Sequence, residues 1–310
     1  LVGFSQTTEI PDPNFEQALI DLGYDTAPIN GSVLTANISG VTSLSVSSNN
    51  IADLTGIEGF TALTELYCFN NELTSLDVSA NPALELLNCK SNQLTSLDFS
   101  NNPALTKLYC YENQLTSLDV SNNPALEILN SYNNQLTSLD VSSSNALKFL
   151  SCENNQLISL DVSNNTALTE FYCFNNQLTS LDVSANSALE FLNCKSNQLT
   201  SLDFSNNPAL KVLFCGTNQL TSLDVRNGNN TNFSLFNSTS NPNLTCIYVD
   251  DAPYSTTNWT NIDPSSTFVN NEVECEALSI GDNAFELDVT IYPNPTDNYL
   301  FIEGNKNPIS

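Results

Sequence analysis

The sequence predicts a β-rich solenoid with two short parallel strands in each coil, mild curvature, a short N-terminal capping helix and a C-terminal cap. The main observation is a strict repeat, because eight leucines recur every 21 residues in equivalent settings. Within each unit, a pattern of two leucines, an apolar residue and an asparagine occurs twice, which indicates two extended runs per coil. A unit with six apolar positions cannot bury them alone, so the units must stack.

The repeat follows the template LxxLxCxxNxLxxLDVSxNPA, counted from each recurring leucine. An additional copy, one residue longer, begins at Val41, so we expect nine regular coils over residues 41–226. Nearly identical copies at 63–104 and 168–209, which include the same NCKSNQLTSLDFSNNPAL at 88–105 and 193–210, indicate a recent block duplication. The recurring leucines are Leu63, Leu84, Leu105, Leu126, Leu147, Leu168, Leu189 and Leu210.

This pattern resembles the leucine-rich repeat superfamily, specifically its bacterial subclass with nested LxxLxCxxNxLxxLDVSxN units. The resemblance covers residues 41–226 and implies an asparagine ladder whose side-chain amides satisfy backbone groups in the turns. The same role follows from the free-energy cost of leaving buried backbone groups unpaired. We therefore interpret the column as structural. It consists of Asn49, Asn71, Asn92, Asn113, Asn134, Asn155, Asn176, Asn197 and Asn218.

An N-terminal cap is expected over residues 7–40, because an open solenoid end exposes apolar interior and unpaired strand edges. Residues 11–24 begin with turn residues and have the apolar spacing of a short helix lying over the first coil. Either Asp12 or Asn14 is expected to be its N-cap. The predicted apolar face of this helix is Phe15, Ala18, Leu19 and Leu22.

The C-terminal end of the solenoid is expected to close over residues 227–277, through one irregular coil and a cap that contains Trp259 and Phe268. Cys246 and Cys275 lie in this region, outside the repeat. In an oxidising exterior they are the favoured disulfide pair. A pair of free thiols remains the alternative, because spacing along the chain does not reveal their separation.

The two termini carry targeting signals on this reading. Residues 1–6 are similar to the tail of a signal peptide, with a frayed N-terminus as the alternative. Residues 278–310 resemble the opening of a type A sorting domain of the Bacteroidetes type IX secretion system, through Tyr292–Pro295 and Leu300–Ile302. The resemblance implies secretion or outer-membrane surface attachment, with the type IX machinery as a partner. The sorting domain is incomplete here, and the alternative is that YPNP is only a linker turn.

Composition excludes several classes of function. The chain has 7 Lys and Arg against 34 Asp and Glu, giving a formal net charge of -27, which argues against nucleic acid as a partner. It has no His, so most hydrolase triads and zinc sites are excluded. No apolar stretch approaches the roughly 18 residues of a membrane span, so no transmembrane segment is expected. We expect a protein that is not an enzyme and needs no cofactor.

Most cysteines fall in one column of the repeat. Seven of the nine occupy the fifth position after a recurring leucine, and Ser131 fills the one gap. This position points inward in the predicted strand, where a free cysteine packs as a small hydrophobe. A metal or redox site is not favoured, because one thiol per coil provides no tetrahedral set of ligands. The column is Cys68, Cys89, Cys110, Cys152, Cys173, Cys194 and Cys215.

The outward positions of the first strand form a face that we call the aromatic wall. Exposed aromatic rings among adaptable polar groups are typical of binding surfaces, so we expect this wall to recognise an extracellular protein or glycan and to serve adhesion. Cross-strand stacking that only stabilises the sheet, in a surface spacer rod without a ligand, is the alternative. Its candidate binding residues are Tyr67, Phe69, Tyr109, Tyr111, Tyr132, Phe149, Tyr172, Phe174, Phe191 and Phe214, with Lys90, Lys107 and Lys195.

The second run of each coil forms a second wall with an aspartate column and a threonine column. We interpret the aspartates as partners of local turn amides, with weak calcium binding as the alternative. The threonines suggest ice binding only distantly, because Ile158 interrupts them. The aspartates are Asp77, Asp98, Asp119, Asp140, Asp161, Asp182, Asp203 and Asp224. The threonines are Thr74, Thr95, Thr116, Thr137, Thr179, Thr200 and Thr221.

Overall fold

The computed structural model of the chain describes residues 6–280, which wind into a parallel β-solenoid of about eleven coils. This confirms the predicted fold class. The chain divides into two compact units, Leu1–Asn270 and Asn271–Ser310. Residues 1–5 of the predicted signal remnant and residues 281–310 of the predicted sorting domain lie outside the described residues.

The N-terminal region is a small cap. Strand β1 (Thr7–Glu9) is followed by helix α1 (Pro13–Asp21), strand β2 (Ser32–Leu34) and helix α2 (Thr35–Ile38). Strands β1 and β2 pair antiparallel.

Asp12 is the N-cap of α1, as the sequence allowed, and one of its carboxylate oxygens accepts hydrogen bonds from the Asn14 and Phe15 backbone amides. Its other oxygen accepts hydrogen bonds from the amides of Ala52 and Asp53, at 2.8 and 3.0 Å. One side chain therefore caps the helix and fastens it to the first coil.

The apolar face of α1 covers the end of the solenoid as predicted, with one exception. Phe15, Ala18 and Leu19 are buried, and the Phe15 ring stacks on Phe60 with 6.4 Å between ring centroids. Leu22 is 46% exposed, so its assignment to the buried face was wrong. The physical reason is that the helix ends at Asp21, one residue before Leu22.

Fourteen three-residue strands form the solenoid. Most consist of an inward residue between two outward ones, since alternation along a strand sends every second side chain to the core. The strands are β3 (Ser43–Ser45), β4 (Glu65–Tyr67), β5 (Leu86–Asn88), β6 (Lys107–Tyr109), β7 (Ile128–Asn130), β8 (Phe149–Ser151), β9 (Glu170–Tyr172), β10 (Phe191–Asn193), β11 (Ser201–Asp203), β12 (Val212–Phe214), β13 (Ser222–Asp224), β14 (Leu235–Asn237), β15 (Cys246–Tyr248) and β16 (Thr267–Val269).

The aromatic wall is one continuous parallel sheet. It contains ten strands, in the order β14-β12-β10-β9-β8-β7-β6-β5-β4-β3, and each strand pairs in register with the equivalent strand of the next coil. The sheet extends to β14, within the segment that the sequence predicts to be irregular. Equivalent residues are therefore stacked in columns along the whole wall.

The second wall pairs regularly only near the C-terminal end of the solenoid. Its sheet has the order β11-β13-β15-β16, and in the earlier described coils one isolated bridge joins Asp119 to Asp140. Ladder hydrogen bonds require strands about 4.8 Å apart. The second strand predicted for every coil is thus formed in only some of them.

All seven cysteines of the repeat column are free and fully buried, as predicted. Burial raises the pKa of the Cys89 and Cys194 thiols to about 12, so these groups stay protonated near neutral pH. They pack as apolar side chains between the leucine columns.

We therefore expect Ellman's reagent to label none of these seven thiols in the folded protein, because the thiolate is the reactive species and the sulfur atoms are inaccessible. All seven should react within minutes in denaturant. Reaction of any of them in the native protein at the rate of an exposed cysteine would contradict the inward assignment. The absorbance of the reagent's released thiolate measures how many thiols react in the native and in the denatured protein.

Aromatic rings close the C-terminal end of the first unit, as predicted for this cap. Trp259 stacks on Phe236 with centroids 4.5 Å apart and contacts Phe268 edge-on at 5.6 Å, and all three are buried. Helix α3 (Ala252–Asn258) precedes Trp259. Short 3-10 turns lie at Ile57–Gly59 and Asn230–Asn232.

In the second unit, the described residues form helix α4 (Glu272–Ile280). Cys246 and Cys275 are both disulfide-bonded, which supports the pair predicted from the sequence. Among residues 6–280, we find no helix with the length and apolar character needed to cross a bilayer.

Candidate functional site

An asparagine ladder holds the turn that follows each strand of the aromatic wall. In the central coils, Asn134 Nδ2 donates to the carbonyls of Cys110, Ser131 and Tyr132, at 3.1, 3.0 and 3.3 Å. Its Oδ1 accepts a hydrogen bond from the Leu115 amide at 3.0 Å. The predicted structural role of the column is therefore confirmed, and from Asn71 onward each asparagine ties two coils together.

The residue before each ladder asparagine adopts a left-handed conformation. From the second regular coil onward, φ at this position lies between 51° and 56°, a region that asparagine tolerates better than most residues. The turn therefore reverses the chain at the same point in every coil and keeps the wall residues in register. The residues are Asn70, Ser91, Glu112, Asn133, Asn154, Asn175, Ser196 and Thr217.

All ten predicted wall aromatics point away from the core, and every one of them is half-buried rather than freely exposed. Lys90 is also half-buried, while Lys107 and Lys195 are exposed. Half-burial arises because side chains of neighbouring coils cover one another. The structure thus places every sequence-predicted binding residue on one face.

Four rings form a continuous run over four coils. Tyr172 contacts Phe149 and Phe191, with centroid distances of 5.6 and 4.6 Å, and Phe191 contacts Phe214 at 6.0 Å. The run alternates between two neighbouring columns of the strand, so these contacts depend on side-chain rotamers as well as on coil stacking. Tyr67, Tyr109 and Phe174 make none of the ring contacts seen along the wall.

A second cluster lies on the same wall, at the sixth position after each recurring leucine, where the chain enters the turn that follows the strand. The Tyr111 and Tyr132 rings stack with centroids 4.2 Å apart and an interplanar angle of 16°. Lys90 Nζ lies 5.0 Å from the Phe69 ring centroid and 5.0 Å from that of Tyr111. An ammonium group between two aromatic rings is a favourable cation–π arrangement.

The structure reveals a wall residue that the sequence analysis missed. Glu153 is only 9% exposed and lies in the same column as the Tyr111 and Tyr132 rings. Ser151 Oγ lies 2.7 Å from Glu153 Oε2 and 3.0 Å from Asn130 Oδ1. Burial raises the pKa of the Glu153 carboxyl, and the Ser151 hydrogen bond opposes this shift. The signal in the sequence is that this position is otherwise aromatic or lysine from Phe69 to Lys195, in the order Phe69, Lys90, Tyr111, Tyr132, Glu153, Phe174 and Lys195.

Burial and nearby carboxylates raise the pKa of two tyrosines of the wall, Tyr132 and Tyr172. Burial first, and the nearby carboxylate of Glu170 second, raise the pKa of Tyr172 to about 12. The same two causes, burial and then Glu112, raise the pKa of Tyr132 as well. Near neutral pH both phenols are therefore protonated, and the Tyr172 hydroxyl donates a hydrogen bond to Glu170 Oε2 at 3.2 Å.

The aspartates of the second wall bond local turn amides, the role that we favoured. Asp140 Oδ1, for example, accepts a hydrogen bond from the Ser142 amide at 2.9 Å. Hydrogen bonds from Ser142, through its side chain and its amide, lower the pKa of Asp140. Among residues 6–280, no group of three or more His, Cys, Asp or Glu side chains is placed to hold a metal ion. Calcium binding and ice binding by this wall stay predictions.

Comparison with known proteins supports this architecture. Residues 39–81 and 187–228 match the family model described as leucine rich repeats, two copies. No curated protein is detectably similar to the chain. The functional domain of InlJ from Listeria monocytogenes, which includes a cysteine ladder, is 28% identical, with a TM-score of 0.61 over 86% of this chain and 71% of that one.

Two further solved structures share the fold at lower identity. The internalin InlC2 from Listeria monocytogenes is 20% identical, with a TM-score of 0.60, and the match covers 71% of this chain and 100% of the InlC2 chain. The ectodomain of the receptor kinase GASSHO1/SCHENGEN3 from Arabidopsis thaliana, solved in complex with Casparian strip integrity factor 2, is 19% identical, with a TM-score of 0.58 over 70% of this chain and 28% of that one. The chain therefore contains leucine-rich repeats, and its coils have the parallel β-solenoid fold of leucine-rich repeat proteins.

Proposed function

We propose that this chain is a non-catalytic binding protein that recognises a protein partner through the aromatic wall, in adhesion or capture. The observation that carries the proposal is the placement of ten half-buried aromatic side chains on one face of a continuous ten-stranded sheet. Large rings on a rigid support lose little conformational entropy when they bind, and tyrosine hydroxyls and asparagine amides add adaptable hydrogen bonds.

The sequence leaves protein and glycan partners open, and the ring geometry favours a protein. A sugar ring stacks on the open face of an aromatic ring. In the Tyr111–Tyr132 pair, each ring covers a face of the other, and Tyr172 is flanked on both sides by Phe149 and Phe191. These stacked rings therefore present mainly edges and hydroxyls, which suit the mixed polar and apolar surface of a protein.

A spacer rod without a specific ligand is the second candidate, and the same stacking supports it. Cross-strand aromatic contacts contribute about 0.2 to 1 kcal/mol per pair to sheet stability without any partner. On this reading the wall rings only stiffen the solenoid.

We further propose that the protein works outside the cell, either secreted or on the outer-membrane surface. The disulfide-bonded state of Cys246 and Cys275 supports an oxidising compartment. Engagement of the type IX secretion machinery stays a prediction from residues 278–310, which can be tested by following secretion of the chain with Tyr292 and Pro295 replaced by alanine.

Array binding with a wall variant tests the proposed function. The full chain, carrying Tyr111→Ser, Tyr132→Ser, Tyr172→Ser and Phe191→Ser together, is compared with wild type on extracellular protein and glycan arrays. We expect wild type to bind a protein and the variant to bind at least tenfold more weakly, since about 1.4 kcal/mol of lost contact corresponds to tenfold.

The matched control replaces four exposed threonines of the second wall by serine, at Thr116, Thr137, Thr179 and Thr200. It should bind as wild type does. If the wall variant binds the array as well as wild type does, the wall is not a binding surface and the spacer rod is the better reading. If wild type binds only glycans, the choice of a protein partner is wrong. Circular dichroism establishes that both variants are folded.

A further inference from the structure

Glu153 lies between two aromatic residues along the length of the solenoid. The Asn133 amide donates to the Glu153 carbonyl at 3.1 Å, and the Asn154 amide donates to the Phe174 carbonyl at 3.0 Å. Tyr132, Glu153 and Phe174 are therefore equivalent residues of three successive coils, about 4.8 Å apart from one to the next. Glu153 therefore has an aromatic column neighbour in the coil on each side.

The Glu153 carboxylate has no cationic partner. Ion pairs described within residues 6–280, such as Lys148 with Glu127 and Lys211 with Glu190, do not involve Glu153. Oε2 is bonded to Ser151, whereas Oε1 accepts no hydrogen bond and is not sealed from solvent. A carboxylate that is nine-tenths buried without a counter-charge is costly, and a cation supplied from outside would offset that cost.

The same column already contains the arrangement that such a cation would make. Lys90 occupies the position between Phe69 and Tyr111, and its Nζ lies 5.0 Å from each ring centroid. A basic side chain that reaches Oε1 of Glu153 would likewise have an aromatic column neighbour in the coil on each side, about 4.8 Å away along the solenoid. At Glu153 the residue between the two aromatic residues of the column is an anion instead of a cation.

The surroundings are also acidic. Glu112 and Glu170 lie on the same wall, and their carboxylates are bonded to the neutral hydroxyls of Ser91 and Tyr172. With a formal net charge of -27, the chain as a whole attracts basic partners. A hard cation such as calcium is disfavoured at Glu153 itself, because it needs six to eight oxygen ligands and the flanks are aromatic.

We propose that Glu153, Tyr132 and Phe174 form a subsite for a basic side chain, lysine or arginine, of the protein partner. The cation pairs with Oε1 of the Glu153 carboxylate, next to the two aromatic residues that precede and follow Glu153 in the column. This inference rests on the proposed function and adds to it the chemistry of one anchor residue in the partner.

The test uses the full chain and fluorescent hexa-lysine and hexa-arginine peptides at 0.15 M salt, where diffuse attraction is largely screened. Glu153→Gln keeps the shape and the Ser151 hydrogen bond but removes the charge, and Glu85→Gln removes an equal charge from an exposed wall position. We expect Glu153→Gln to weaken peptide binding about tenfold and Glu85→Gln to change it less than twofold. Equal losses for the two variants would overturn the subsite, because they would indicate only the general acidic field.

A third variant, Glu153→Lys, places a tethered cation in the column as at Lys90, and it should abolish peptide binding while the thermal midpoint stays at or above that of wild type. A folded Glu153→Lys protein that still binds the peptides as wild type does would overturn the proposal. Failure of the subsite is distinguishable from failure of the proposed function, because the four-serine wall variant would still lose its protein partner on the array if only the subsite were wrong.

Discussion

Replacing Phe171 by alanine is expected to lower the free energy of unfolding by about 3 to 5 kcal/mol, the usual cost of removing a fully buried phenylalanine. Phe171 is the central residue of β9 and is 0% exposed. It takes the place that leucine holds in most coils, so the surrounding columns are packed around a larger side chain. Neighbouring coils cannot close the cavity without breaking the register of the ten-stranded sheet. Urea unfolding followed by circular dichroism measures the loss.

Phe191→Ala is the matched control, because it removes the same side chain from the adjacent strand on the opposite face. Phe191 is half-buried and loses two ring contacts, with Tyr172 and Phe214. We expect a cost of about 1 to 2 kcal/mol. Equal costs at the two positions would show that the inward and outward faces of the strand are wrongly assigned.

Replacing Asn155 by serine is expected to cost about 3 kcal/mol or more, because each buried group left unpaired costs about 1 to 3 kcal/mol. Asn155 Nδ2 donates to the carbonyls of Ser131, Cys152 and Glu153, and its Oδ1 accepts from the Leu136 amide at 2.9 Å. The shorter serine side chain cannot span these groups. The Leu136 N–H is therefore left buried without an acceptor, the most costly of the losses.

Asn165→Ser provides the comparison on the second wall. Asn165 is fully buried, and its Nδ2 donates to the carbonyls of Val141 and Ser144, but its Oδ1 accepts no hydrogen bond. The preceding coil has Ser144 at this position, so the column already accommodates a serine. We expect a cost of about 1 kcal/mol, since only carbonyls lose a partner. A larger loss for Asn165→Ser than for Asn155→Ser would contradict the ranking of the two columns. Both are measured by urea unfolding.

Some local features of the cap could be predicted from individual residues of the sequence, and others could not. Asp12 was a predicted N-cap because aspartate before a proline-initiated helix satisfies the first amides, and it does so here. Leu22 was misassigned because helical spacing predicts which face a residue occupies but not at which residue the helix stops. Likewise, the twofold pattern in each coil predicted a strand on both walls, but whether neighbouring strands pair depends on their separation, which curvature determines.

The candidate site, too, was predicted from the sequence only in part. Alternation along the strand was sufficient to place Tyr111, Tyr132 and Tyr172 on one outward face. Their stacking was not predictable, because ring contacts such as Tyr172 with Phe191 join different columns and depend on side-chain rotamers. Glu153 was missed for a related reason. A glutamate in an outward position is ordinarily solvated, and only the packing of neighbouring coils shows that it is buried.

By itself, the sequence determined the solenoid, the inward cysteine and asparagine columns and the face on which the aromatic residues lie, because a constant 21-residue period places like residues above one another in every coil. Only the tertiary structure decided where the second sheet pairs, which rings cover one another and that one carboxylate is enclosed without a cation. These properties depend on distances between side chains of different coils, and a repeat period specifies the order of the columns without specifying those distances.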